Sequence, residues 1–146
     1  MHFTIQSLFI NRGQINLNTI TMQPYLITAY FFVLIVIGSG GDALMHRDRK
    51  EVGHILQSSE LALAFFMSNV FQLDFMRLGL ALLAYAFVRF ALFSYAWNLW
   101  YGGVPWWYVG KTDILDKFLS KYPWGGVLFA RVITLATGIG IVFKAI

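Results

Sequence analysis

The chain contains no cysteine, so a disulfide framework, a thiolate metal site and a cysteine nucleophile are all excluded. Charge is scarce as well. Only 12% of its 146 residues are charged, against about 25% in a typical soluble domain. That leaves too little polar surface to clothe a soluble globule of this size. No serine sits in a nucleophile elbow, no Walker-type loop is present, and neither HExxH nor HxxxH occurs. The two halves share no repeat, and the length allows one domain. A soluble enzyme and a disordered tail do not fit these deficits. The net charge of +4 is carried by scattered basic residues, several of them inside apolar stretches. No phosphate-tracking face arises that way, so nucleic acid is not an expected partner.

What is present is apolar: 58% of the residues are hydrophobic. The expected class is all-α, a polytopic membrane protein built as a bundle of four transmembrane helices with a short amphipathic interfacial helix. No charge interrupts residues 13–41, and the stretch beginning at Pro24 is long enough to cross about 30 Å of hydrocarbon. Residues 1–21 read either as a short exposed arm or as an upstream extension with Met22 as the true start. The remaining residues, 22–146, form a single transmembrane domain with spans at about 22–41, 52–71, 76–98 and 124–146. The second is the weakest span. Only 13 uncharged residues separate Glu60 from Asp74, so it must begin near Val52 and carry His54, Gln57, Ser58 and Glu60 into the membrane.

Orientation follows from the basic residues of short loops. Arg47, Arg49 and Lys50 follow span one, and Lys111, Lys117 and Lys121 follow span three. The other side has Arg12, Arg77 and Lys144. The bias places both longer loops in the cytoplasm and both termini outside, as a multi-pass protein of a bacterial inner membrane. Trp97, Trp100, Trp106, Trp107 and Trp124 bracket the loop after span three. Tryptophan favours the membrane boundary, where its ring is apolar and its N–H finds a partner. Within that loop Ile114, Leu115, Phe118, Leu119 and Tyr122 recur at helical spacing, with Thr112 as N-cap and Asp113 in the first turn. The belt reads as an anchor; the alternative is a groove for a lipid or partner.

Three charges fall inside the spans. Glu60 lies nine residues in from Glu51, Arg89 nine in from Asn98, and Arg131 seven in from Trp124. At 1.5 Å per residue these depths are about 13.5, 13.5 and 10.5 Å. Such groups usually face the bundle interior and pair, so Glu60 is expected within ion-pair reach of Arg89, with Arg131 close by. Asp42, His54, Gln57 and Asn98 lie at shallower depth and complete a candidate pocket opening to the cytoplasm. Two readings compete, a structural ion-pair lock and a pocket for an ion, a proton or a small anion.

Other motifs carry less. Asp42, His46 and His54 are the residue types of a metal site but read better as a charged loop and a cavity wall, so no metal is expected. Asp113 and Asp116 sit on the interfacial helix and converge on no pocket. Residues 38–41, GSGG, read as a flexible or closely packed end to span one. Thr134 with Gly138, and Ala136 with Gly140, give small-residue spacings that suit either bundle packing or a seam between copies. The expected function is a small integral membrane protein acting as a non-catalytic subunit or oligomeric scaffold; the alternative is an ion or small-anion channel or transporter. A membrane-embedded enzyme comes third, since no nucleophile or complete ligand set is present. No cofactor is expected. The expected partners are the lipid bilayer and a homo-oligomer or larger membrane complex.

Overall fold

An apolar chain in lipid has to satisfy its backbone polar groups within each segment, and the helix does so. The computed structural model describes the backbone of residues 6–105, 108 and 114–145, and the side chains of residues 22–105, 108 and 117–145. The described residues form five helices and no strand: α1 (Gln6–Met45), α2 (Lys50–Phe71), α3 (Phe75–Tyr101), α4 (Ile114–Leu119) and α5 (Trp124–Ala145). Three segments are long and apolar enough to cross a membrane: Met22–Met45, Phe75–Tyr101 and Trp124–Ala145. The chain is thus all-helical with three candidate membrane spans. At 22 residues, α2 is about 33 Å long at 1.5 Å per residue. Its length suffices; its apolarity is what falls short.

The first helix is longer than residues 22–41. It is already helical at Gln6 and runs without a break to Met45, carrying the GSGG segment inside the helix. The residues expected to form an amphipathic helix after α3 yield the six-residue α4. There Leu119 is buried while Phe118 and Tyr122 are exposed, their rings 5.1 Å apart. Trp106, Trp107, Lys111, Thr112 and Asp113 lie outside the described residues, as do the side chains of Arg12, Ile114, Leu115 and Asp116.

The short connection between α2 and α3 predicts that these two helices are direct neighbours. They are joined tightly: Gln72 takes the left-handed conformation that stops α2, and the Asp74 carboxylate accepts from the Arg77 N–H at 2.8 Å to start α3. Yet they pack little on each other: α2 packs chiefly on α1, and α3 chiefly on α5 and then on α1. The reason is the glycines. A methyl group on Gly53 would stand 2.6 Å from the Gly41 carbonyl oxygen, and one on Gly41 would stand 2.9 Å from that of Gly53. Only two residues without side chains let α1 and α2 approach so closely. Gly138 does the same for α5, where an added methyl would meet the Ala84 carbonyl oxygen at 2.8 Å. Of the two small-residue spacings in α5, the one ending at Gly138 therefore packs inside the bundle, whereas a methyl on Gly140 would meet nothing within 4 Å.

The core lies along α1. Ile27, Phe31, Leu34 and Ile35 are at most 2% exposed and recur every three or four residues. They meet Ala64 and Met67 of α2 and Ala81, Ala84, Tyr85 and Val88 of α3. Hydrogen bonds also tie α1 to α2: Tyr30 donates its hydroxyl to the Leu63 carbonyl at 3.0 Å, and Gln23 its amide to the Phe71 carbonyl at 2.8 Å. These contacts fix the rotation of α2 and hence which of its polar residues turn inward.

Candidate functional site: a buried ion pair seated on a glycine

On α2 the inward face carries Gly53, Glu60, Ala64 and Met67, at spacings of seven, four and three. Glu60 is the polar member of this set, 6% exposed. Arg89 of α3 meets it with two donors, Nε to Oε1 at 2.7 Å and Nη2 to Oε2 at 3.4 Å. Tyr85, one turn before Arg89 and on the same face of α3, donates its hydroxyl to the same Oε1. The carboxylate is thus held by three donors from one helix. A charge-assisted, two-pronged contact of this kind is among the stronger hydrogen bonds in proteins.

The third side of the carboxylate is α1. A methyl group on Gly38 would lie 1.8 Å from Glu60 Oε2 and 2.2 Å from the carboxyl carbon. No side chain fits there, so the glycine is the seat of the charge. The Arg89 side chain remains 39% exposed, and its guanidinium carbon lies 4.1 Å from the Phe93 ring centre, a cation–π contact that covers part of the cation.

Arg131 does not join this pair. It is 3% exposed and occupies the interface of α5 with α3. Its Nη2 donates to the Ser94 hydroxyl at 3.1 Å, and its guanidinium carbon lies 4.6 Å from the Tyr95 ring centre. Its Nε and Nη1 are buried with no hydrogen-bond acceptor among the described residues. Equal depth on different helices does not imply contact. Because α5 packs on the face of α3 that carries Ser94, Arg131 faces that seam, while Arg89 faces α1 and α2.

The shallower candidates also divide. Gln57 is half-buried and donates its amide to Asp42 Oδ1 at 3.3 Å, and the His46 ring nitrogen lies 4.0 Å from Asp42 Oδ2. Asn98 is buried near the end of α3, where its amide donates to the Tyr108 carbonyl at 2.8 Å. His54 is exposed, on the outer face of α2 with Ile55, Ser58, Ser59 and Ala62. The expected pocket is therefore split, since the Gly41–Gly53 contact turns Gln57 inward and leaves His54 exposed. Among the described residues no group of three or more His, Asp or Glu side chains is placed to hold a metal ion.

Sequence reasoning missed Tyr85 and Gly38. Both had a signal: Tyr85 stands four residues before Arg89, and Gly38 interrupts an otherwise bulky apolar helix. No family model, curated protein or solved structure matches the chain.

Breaking the pair from one side leaves a charge stranded in the bundle. Glu60→Gln and Arg89→Gln should each lower stability, by about 3 kcal/mol where the survivor stays buried. The double substitution should recover part of that loss. Unfolding of the four proteins in detergent measures the cycle, and strictly additive losses would show that the pair contributes no coupling.

Proposed function

We propose that the chain is a multi-pass membrane protein of a bacterial inner membrane, acting as a non-catalytic subunit or oligomeric scaffold. The observation that carries this reading is the closure of the Glu60 site. Its carboxylate is filled by Arg89 and Tyr85 and walled by Gly38, so it is occupied by the protein's own groups and has no free face for a substrate. A buried carboxylate held by donors from a neighbouring helix suits a role in setting helix register. That suits a part whose task is to hold a shape.

In this reading α2 is the fourth span. Its length supports that, and so does its outer surface, where Ile55, Leu61, Phe65, Phe66 and Val70 are at least 50% exposed. An ionised Glu60 alone would oppose insertion, but pairing with Arg89 offsets much of the cost. Alternation of four spans then leaves the basic loops on the cytoplasmic side, with α4 and the tryptophans at that interface. Single cysteines replacing Asp48 and Lys117 should be labelled from the same side of the membrane, and one replacing Asp74 from the opposite side. Labelling of positions 48 and 74 from one side would remove α2 from the set of spans.

A second reading, an ion or small-anion channel or transporter, is favoured by one feature only. Arg131 is a buried cation with two donors lacking acceptors among the described residues, and a small anion is a chemically apt acceptor for them. Proteoliposomes separate the readings. The scaffold reading expects chloride and proton flux no greater than in protein-free vesicles, with a cross-linked oligomer or a partner of fixed stoichiometry. A flux that Arg131→Ala abolishes in a folded protein would replace the scaffold with the conductor.

A further inference from the structure

Between the outer side of α1 and the end of α3 runs a groove of about 300 Å³, lined by Val36, Gly40, Leu44, Leu56, Trp100 and Arg47. Five of these six are apolar, and the sixth is a cation. At Gly40 an added methyl would stand 3.3 Å from the Trp100 ring, so the glycine lets that ring lie close against α1. From Val36 to Leu44 the wall extends about 12 Å along α1, under half of the roughly 30 Å hydrocarbon thickness. It fits the upper part of one acyl chain.

Arg47 stands two residues beyond the end of α1. Its Nη2 donates to the Tyr101 carbonyl oxygen, and the guanidinium carbon lies 5.7 Å from the Tyr101 ring centre. Among the described residues this one hydrogen bond leaves most of the five guanidinium donors without an acceptor, and the side chain is exposed. Arg49 and Lys50 follow after Asp48. Asp48 in the loop and Glu51 in the first turn of α2 are the acidic neighbours, and neither lines the groove. An apolar slot whose mouth carries a forked cation matches a molecule with an acyl chain and an anionic phosphate head.

We propose that this groove holds one molecule of an anionic phospholipid, its acyl chain along Val36, Gly40 and Leu44 and its phosphate on Arg47. The site is separate from the Glu60 pair, and it rests on the membrane reading but on neither the scaffold nor the channel. Extraction of native membranes with alkaline carbonate tests the membrane reading by itself: release of the chain would remove the setting for any bound lipid.

Native mass spectrometry of the full chain, released from micelles doped with equal phosphatidylglycerol and phosphatidylcholine, tests the site. Wild type should retain one phosphatidylglycerol in preference to phosphatidylcholine by about fivefold, the factor that one cation near an anionic head supplies. Arg47→Ala should bring the ratio to about one, and Arg47→Lys should keep most of it. Val36→Trp, at a position already 46% exposed, fills the groove from its rim and should lower retention of both lipids. That last variant keeps the test open if loss of the Tyr101 contact unfolds Arg47→Ala. Equal retention of the two lipids by wild type, an unchanged ratio in Arg47→Ala, or full retention in Val36→Trp would each overturn the proposal.

Discussion

A carboxylate lodged between three helices is the constraint on which the rest of the bundle depends. Glu60 belongs to α2, its donors Tyr85 and Arg89 to α3, and the floor beneath it, Gly38, to α1. An ionised carboxylate in an apolar interior is tolerated only when paired and hydrogen-bonded. The three helices must therefore keep the rotation and the height that bring these groups together. A slip of one residue along α2 would turn Glu60 by about 100° and replace it at the seat with Ser59 or Leu61.

The glycines make that geometry affordable in space. Close approach at Gly41 and Gly53 sets α2 on α1 about one turn along α1 from the Gly38 seat, and Gly138 draws α5 onto α3. In a bilayer, helices gain little from hiding apolar surface from lipid, so tight packing and interhelical hydrogen bonds carry their association. Both occur together here. The aromatic contacts at the other end of α3, where Trp97 stacks on Tyr101 at 4.6 Å and meets the His46 ring edge-on at 5.6 Å, tie the exit of α1 to the exit of α3.

Much of the fold was legible before any coordinates. Low charge and long apolar stretches specify membrane-length helices, and the depth count alone paired Glu60 with Arg89. Depth, however, is one coordinate of three. Arg131 shares the level but sits in the α3–α5 seam on Ser94 and Tyr95, because the azimuth of each helix is decided by glycine contacts that no periodicity encodes. The same ignorance of azimuth grouped His54 with Gln57, which the structure turns to different sides of α2. The short α2–α3 connection suggested direct packing of those helices; they meet at the Glu60–Arg89 pair, but α2 packs chiefly on α1 and α3 on α5 and α1. The Arg47 groove was not legible at all, since its walls come from one side of α1 together with Leu56 and Trp100 and meet only in the folded chain.

The seat itself is the sharpest point of the account, and a thermodynamic cycle between Gly38 and Glu60 addresses it. Stability in detergent would be measured for wild type, Gly38→Ala, Glu60→Ala and the double variant. If the Gly38 position is kept clear for the carboxylate, Gly38→Ala is destabilising in the presence of Glu60, on the scale of about 1–3 kcal/mol for overpacking. In the Glu60→Ala background it should then be nearly neutral, because the atoms it would strike are gone. An equal loss from Gly38→Ala in both backgrounds would contradict a carboxylate seated on that glycine.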